Sequence, residues 1–131
     1  MDDKLHHTSK LGHATFAEVN YKAFGIVSEE FHIELYLALQ RTYSPERWDV
    51  SKSKYVDGMP WKLDQVISKK AGVTTLPAWE DVNSGRSCEE TIMTFIRNII
   101  HHGVDAVSCG RGRTYTQSEL GQSIEEMLNL L

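Results

Sequence analysis

Apolar residues recur along this chain at the three- and four-residue spacing of helices, and strict alternation of the kind found in strands is almost absent. The main helical stripes follow start signals: capping residues at Thr15, Ser28, Ser87 and Thr116, and a proline at Pro60. We expect an all-α protein, most simply an up-and-down bundle of four to five helices.

The first two stripes predict two helices. Phe16, Val19, Ala23 and Phe24 recur at helical intervals, and Gly25 ends the first helix. The helix that begins after Ser28 is apolar nearly all round, which predicts a central position. Its apolar residues are Phe31, Ile33, Leu35, Tyr36, Leu37 and Leu39, and we interpret His32 among them as a packing residue.

Three later helices complete the predicted core. The third runs from Pro60 to Gly72, the fourth from Ser87 to Gly103, and the fifth from Thr116 to the last residue. Their apolar stripes are Trp61, Leu63, Val66 and Ile67; Ile92, Phe95, Ile96 and Ile99; and Leu120, Ile124, Met127, Leu128 and Leu131.

Shorter signals stand between these helices. Ser44-Pro45 predicts a short helical turn, and Pro77 to Glu80 predicts another. We expect a polar loop over residues 51–58 and a short extended piece over residues 104–109.

The domain organisation is simple. We expect a flexible polar lead-in over residues 1–13 and a single helical-bundle domain over residues 14–131. No apolar run approaches the ~20 residues that cross a bilayer, and the start lacks the apolar core of a secretory signal. Cys88 and Cys109 form no Cys-x-x-Cys motif, which favours free thiols and a cytoplasmic protein.

The clearest candidate chemistry lies at the end of the fourth helix. Arg97, Asn98, His101 and His102 follow an apolar stripe and precede Gly103. A fixed cation, a titratable group and a neutral donor suit work on a phosphodiester. The net charge of −4 disfavours general coating of nucleic acid, but it does not exclude a local basic site.

A structural interpretation competes with this one. On an ideal helix of ~100° per residue, Glu90, Arg97 and His101 fall on the face opposite the isoleucines. The three side chains would then form a solvated ladder of paired charges.

The stretch Arg97-Asn98-Ile99-Ile100-His101-His102-Gly103 resembles the motif of the HEPN superfamily, small helical bundles of which many are metal-independent ribonucleases. Arg97 matches the family arginine, Asn98 its polar neighbour, and His102 the histidine after four intervening residues. His101 lies one turn beyond Arg97 and stays open as the functional histidine.

The resemblance implies acid–base cleavage of RNA, in which the ribose 2′-hydroxyl attacks the phosphate. His102 would move the proton, Arg97 would hold the phosphate, and Asn98 would orient one of them. No metal or other cofactor would be needed. The resemblance also implies a homodimer whose interface holds the site, and a toxin or defence role with an antitoxin or host target as partner.

The basic turn Gly110-Arg111-Gly112-Arg113 is a second candidate. Arg111 and Arg113 could hold an RNA backbone while Tyr115 stacks on a base. The alternative is a solvated loop between helices. We expect no metal site from His6, His7 and His13, and no nucleophilic site formed by Cys109 with His101 and His102.

The competing class is a non-catalytic protein-interaction module, such as an adaptor or inhibitor. The acidic balance and the aromatic residues Trp48, Tyr55, Trp61 and Trp79 favour recognition of a protein surface. An RNA cleavage assay with a chelator present separates the two classes.

Overall fold

A computed structural model describes residues 9–43, 48–49, 54–55, 60–76, 79–81, 86–88, 90–103 and 113–131. Within these ranges the chain forms five α-helices, α1 (Phe16–Phe24), α2 (Glu29–Tyr43), α3 (Pro60–Ile67), α4 (Ile92–His102) and α5 (Gln117–Leu130). The predicted all-α bundle is therefore confirmed.

Four very short strands accompany the helices and form two antiparallel pairs. β1 (Trp48–Asp49) pairs with β2 (Lys54–Tyr55), and β3 (Trp79–Asp81) pairs with β4 (Arg86–Cys88). The helical turns predicted after Ser44-Pro45 and at residues 77–80 are wrong where the structure describes them. Segments this short gain little stability by forming a helix. An extended segment that contains tryptophan is instead stabilised by pairing with a neighbouring strand. Residues 44–47, 77–78 and 104–112 lie outside the described ranges, as does most of the predicted loop over residues 51–58.

Helix α2 lies at the centre of the bundle. It packs against each of the other four helices, most extensively against α5. Phe31, Leu35 and Leu39 are fully buried, as the nearly all-round apolar pattern predicted. The rest of the core comes from the other helices and the segment before β3: Ala17, Leu63, Ile67, Leu76, Ile92, Met93, Phe95, Ile96, Ile99, Leu120, Ile124 and Met127.

Helix α1 has the predicted ends, but the ends of its predicted apolar stripe are not buried. The Thr15 hydroxyl caps it by accepting a hydrogen bond from the Glu18 N–H at 3.1 Å, and Gly25 ends it in the left-handed conformation. Phe16 and Phe24, the end residues of its predicted apolar stripe, are 80% and 75% exposed.

The side of α1 that is buried instead carries Ala17, Glu18 and Tyr21. Tyr21 packs on the Phe31 ring with the centroids 5.1 Å apart. The Glu18 carboxylate accepts hydrogen bonds from the Ser9 hydroxyl at 2.8 Å and the Lys10 N–H at 3.0 Å, and it pairs with Lys22 at 3.4 Å. These partners offset the cost of burying a charge.

Helix α4 begins later than predicted. Ser87 lies in β4 rather than at the helix start, and the cap is Thr91. The segment before β3 runs antiparallel to this start, because the Leu76 N–H donates to the Glu90 carbonyl and the Ile92 N–H donates to the Thr74 carbonyl, each at 2.9 Å. Helix α3 also ends at Ile67 rather than at Gly72.

Candidate active site

The last turns of α4 carry the side chains that the sequence singled out. Ile92, Phe95, Ile96 and Ile99 point into the core, as the stripe predicted. Arg97 and Asn98 are half-buried at its edge, and His101 and His102 are exposed. Gly103 ends the helix with φ +80° and ψ 167°, a backbone conformation that side-chain-bearing residues rarely adopt.

Two neighbours restrict the Arg97 guanidinium. One of its N–H groups donates to the Asn98 side-chain oxygen at 2.9 Å. Its central carbon lies 5.9 Å from the centroid of the Tyr36 ring, within the range of a cation–π contact. No carboxylate forms a salt bridge with Arg97 among the described residues. A guanidinium with five N–H donors therefore keeps donors for an anion.

The two histidines form a pair at the tip of the helix. Their ring centroids are 6.3 Å apart, with an interplanar angle of 49°. Partial burial, and then the positive charges of Arg97 and His102, lower the pKa of His101. A lowered pKa favours the neutral imidazole, which is the form that accepts a proton.

The solvated ladder with Glu90 is wrong. Glu90 precedes the cap residue Thr91 and is only 7% exposed, so it does not share the exposed side of α4 with Arg97 and His101. Ideal helix geometry places His101 one turn from Arg97 on the same side and His102 about 140° away. The structure places Asn98 against Arg97, Arg97 near His101, and His102 beside His101.

A buried polar network that no sequence pattern predicted lies beneath this site. The Asp64 carboxylate accepts hydrogen bonds from the Thr91 N–H at 3.0 Å, the Thr91 hydroxyl at 2.7 Å and the Thr94 hydroxyl at 2.6 Å. Because Thr94 gives its only hydroxyl proton to Asp64, the Tyr36 hydroxyl, 2.7 Å away, donates to Thr94. These hydrogen bonds join α3 to the start of α4. They also link α3 to Tyr36 in α2, whose ring lies beneath Arg97.

Burial is the main cause of the pKa shifts in this network. It raises the pKa of Asp64 even though the hydrogen bonds from Thr94 and Thr91 act in the opposite direction. It also raises the pKa of the Tyr36 phenol, with the nearby Asp64 charge as a second cause. The one available sequence signal was a carboxylate placed beside Leu63 in an apolar helical stripe.

The second candidate cluster has a different setting. The Arg113 guanidinium binds both oxygens of Glu119, at 3.1 and 3.2 Å, and its hydrogen bonds lower the pKa of that carboxyl. It also lies over the Phe95 ring, 4.8 Å from the centroid. Phe95 and Arg97 are about 200° apart around α4, so Arg113 contacts a different side of this helix.

Tyr115 is partly buried against the core, and Arg111 lies outside the described residues. Arg113 therefore joins the start of α5 to α4 in this structure. To bind RNA as predicted, the Arg113 guanidinium would have to bind a phosphate as well as Glu119, or in place of Glu119. Among the described residues, no three His, Cys, Asp or Glu side chains are grouped as a metal ion would require.

Comparison of the chain with protein-family models, curated proteins and solved structures found no match. None of the helices in the described ranges combines the length and apolar character needed to span a bilayer.

Proposed function

We propose that this protein is a HEPN-like endoribonuclease that cleaves RNA without a metal ion, with Arg97, Asn98, His101 and His102 as its site. One observation supports the proposal above the others: a guanidinium without a carboxylate partner among the described residues lies at the same helix end as an imidazole whose pKa is lowered by partial burial and by the guanidinium charge. The resemblance of residues 97–103 to the HEPN motif supplies the reaction class.

In the proposed reaction Arg97 holds the non-bridging oxygens of the scissile phosphate. The neutral imidazole takes the proton of the 2′-hydroxyl, whose oxygen attacks phosphorus. A bond forms between O2′ and phosphorus, the bond from phosphorus to O5′ breaks, and the second imidazole gives its proton to O5′. The products are a 2′,3′-cyclic phosphate and a 5′-hydroxyl end, so atoms and electrons balance.

The roles of the two histidines follow from their surroundings. The lowered pKa of His101 fits the group that accepts the proton. His102, the motif histidine, is the proton donor in this scheme. With ring centroids 6.3 Å apart, both imidazoles are close enough to flank one phosphodiester.

RNA cleavage in the presence of a chelator tests the proposal. We expect the natural chain to cut RNA, and Arg97→Ala, His101→Ala and His102→Ala each to lower the rate at least ~100-fold, the scale of one acid–base or charge-stabilising group. Arg41→Ala and His13→Ala replace an exposed arginine and an exposed histidine elsewhere and serve as matched controls. Full activity in the Arg97 variant would exclude the assignment.

The resemblance further implies that two copies of the motif act together in a homodimer. If so, a mixture of Arg97→Ala and His102→Ala chains should regain activity, because one of its two sites is intact when each site draws these residues from different chains. Mixing would restore nothing if each chain carried a complete site.

The second candidate function, a protein-interaction module without catalysis, is favoured by the exposed phenylalanines of α1. It predicts no RNA cleavage by the folded chain under any of these conditions. An antitoxin or host protein would then be the partner that defines the function.

A further inference from the structure

The outward side of α1 is apolar where a surface helix normally carries charge. The helix buries Ala17, Glu18 and Tyr21, and ideal geometry places Phe16, Val19, Asn20, Ala23 and Phe24 together on the other side, which we call the α1 outer face. Phe16 and Phe24 are 80% and 75% exposed, and none of its five residues is charged. Contiguous exposed apolar surface of this kind marks an interaction site.

The arrangement of the α1 outer face is self-complementary. The phenylalanines lie eight positions apart, so they stand at opposite ends of the face and ~12 Å apart along the axis. Asn20 lies midway between them. An antiparallel copy of α1 would bring each phenylalanine against the other one and place the two Asn20 amides together. Because an amide both donates and accepts, it can hydrogen-bond its own copy.

The exposed area suits the centre of a dimer interface. A phenylalanine buries ~150–250 Å² in a contact, so the two rings offer roughly 300 Å² on each chain at their present exposure. Two copies would remove ~600 Å² of aromatic surface, more than half of the ~1,000 Å² that a stable interface requires.

We infer that the α1 outer face is a homodimer interface in which two copies of α1 pack antiparallel, with Phe16 against the partner's Phe24. The twofold arrangement requires that one patch serve both chains, and the order Phe16, Asn20, Phe24 reads the same in both directions. Its residues are distinct from Arg97, Asn98 and the histidine pair, so this interface is a different one from the site-sharing homodimer that the HEPN resemblance implies. It does not rest on the proposed ribonuclease activity.

Light scattering during size-exclusion chromatography tests the interface. We expect the natural chain to have twice the 14.9 kDa mass of one chain, and the double variant Phe16→Glu with Phe24→Glu to have the monomer mass. Both side chains are solvent-exposed, so helicity should be unchanged in circular dichroism. The matched control is Val66→Glu, an exposed apolar residue on α3 that is 41% exposed and should leave the dimer intact.

A disulfide tests the antiparallel arrangement independently. Asn20→Cys places a thiol beside the twofold axis, so oxidation should yield a covalent dimer. Glu125→Cys, on the exposed side of α5, keeps both native cysteines and should give no such product.

A monomeric natural chain would overturn the inference and assign the face to a different protein. A dimer that survives both glutamates, or that Val66→Glu also dissociates, would overturn it as well. Failure of Asn20→Cys to cross-link would exclude the antiparallel packing. None of these measurements depends on RNA cleavage, so their failure is distinct from failure of the proposed function.

Discussion

At the scale of single residues, His32 makes stability depend on pH. Its imidazole lies in the core between α2 and α5, where Nε2 shares a 2.7 Å hydrogen bond with the Ser123 hydroxyl. Its Nδ1 has no hydrogen-bond partner among the described residues. Burial lowers the pKa of His32 from 6.5 to about 3, so the folded state holds the ring neutral.

Acid should therefore destabilise the fold through His32. Between pH 6.5 and about 3 the unfolded chain binds a proton that the folded chain excludes, so the stabilisation is complete above pH 6.5 and is lost as the pH falls. From pH 7 to pH 5 we expect His32 to lower the free energy of unfolding by about 2 kcal/mol. Urea unfolding at the two pH values measures it.

His32→Gln should remove most of this difference, because glutamine retains a polar side chain without an imidazole to protonate. His13→Gln changes an exposed histidine and should leave the pH dependence as it is. An unchanged acid effect in the His32 variant would mean that another group carries it.

Asp64 is the residue on which the start of α4 depends most. It accepts three hydrogen bonds from Thr91 and Thr94, and an amide in its place would oppose at least one donor with another donor. We expect Asp64→Asn to cost about 2–3 kcal/mol in the free energy of unfolding. Glu125→Gln, an exposed change of the same kind, should cost little.

Tyr36→Phe tests the outer end of the same network. It removes only the hydroxyl that donates to Thr94 and should cost about 1 kcal/mol. It keeps the ring beneath Arg97. A double-mutant cycle of the Tyr36 and Asp64 changes should show a non-additive term, since the two residues share Thr94.

At the scale of elements, two glycines respond in opposite ways to alanine. Gly103 ends α4 with φ +80°, so Gly103→Ala should destabilise the fold by about 1–3 kcal/mol through backbone strain alone, as nothing lies within 4 Å of the added methyl. Gly121 lies inside α5, and its added methyl would make an ordinary contact with Val27 at 3.8 Å. Gly121→Ala should stabilise by about 0.5–1 kcal/mol.

Thermal unfolding of the two alanine variants measures both changes. A shift of the melting temperature in the same direction for both variants would contradict the predicted opposite effects. Because Gly103 directly follows the histidine pair, its variant should also lower any RNA cleavage. Gly121→Ala should leave cleavage unchanged.

The helices also show when a sequence pattern can predict which side of a helix is buried. The stripes of α4 and α5 each have one apolar side, so periodicity alone identified most of their core residues, although it missed Met93, which is fully buried in α4. Helix α1 is apolar at Phe16 and Phe24 and also at Ala17 and Tyr21, and the pattern cannot choose between two such sides. The choice depends on partners distant in sequence, the hydrogen bonds from Ser9 and Lys10 that satisfy buried Glu18.

The candidate site was accessible to sequence reasoning for a related reason. Arg97, Asn98, His101 and His102 lie within one helix, so spacing alone places them close together. The support beneath them joins three helices through Asp64, Thr94 and Tyr36, and no local pattern records such contacts. Thr91 was missed as the cap because local sequence shows only its 3.3 Å contact with the Thr94 N–H and not the 2.7 Å hydrogen bond that its hydroxyl donates to Asp64 in α3.

At the scale of the whole molecule, a net charge of −4 predicts weak, local binding of RNA. If Arg97 and one or two further cations contact phosphates, the logarithm of the binding constant should fall with the logarithm of salt concentration with a slope of about −1.5 to −2. Arg97→Ala should reduce the magnitude of that slope by about 0.7. Fluorescence anisotropy with single-stranded RNA over a salt series measures it, and Arg41→Ala provides the control.

The central position of α2 has a consequence for synthesis. Its main packing partner α5 comes late: Ser123 lies 91 residues beyond His32, its hydrogen-bond partner. At ~5–20 residues per second, translation separates the two by roughly 5–18 s. During that interval the nascent chain displays Phe31, Leu35 and Leu39 without their final covering. Chaperones that bind apolar nascent segments should therefore engage this protein until α5 leaves the ribosome.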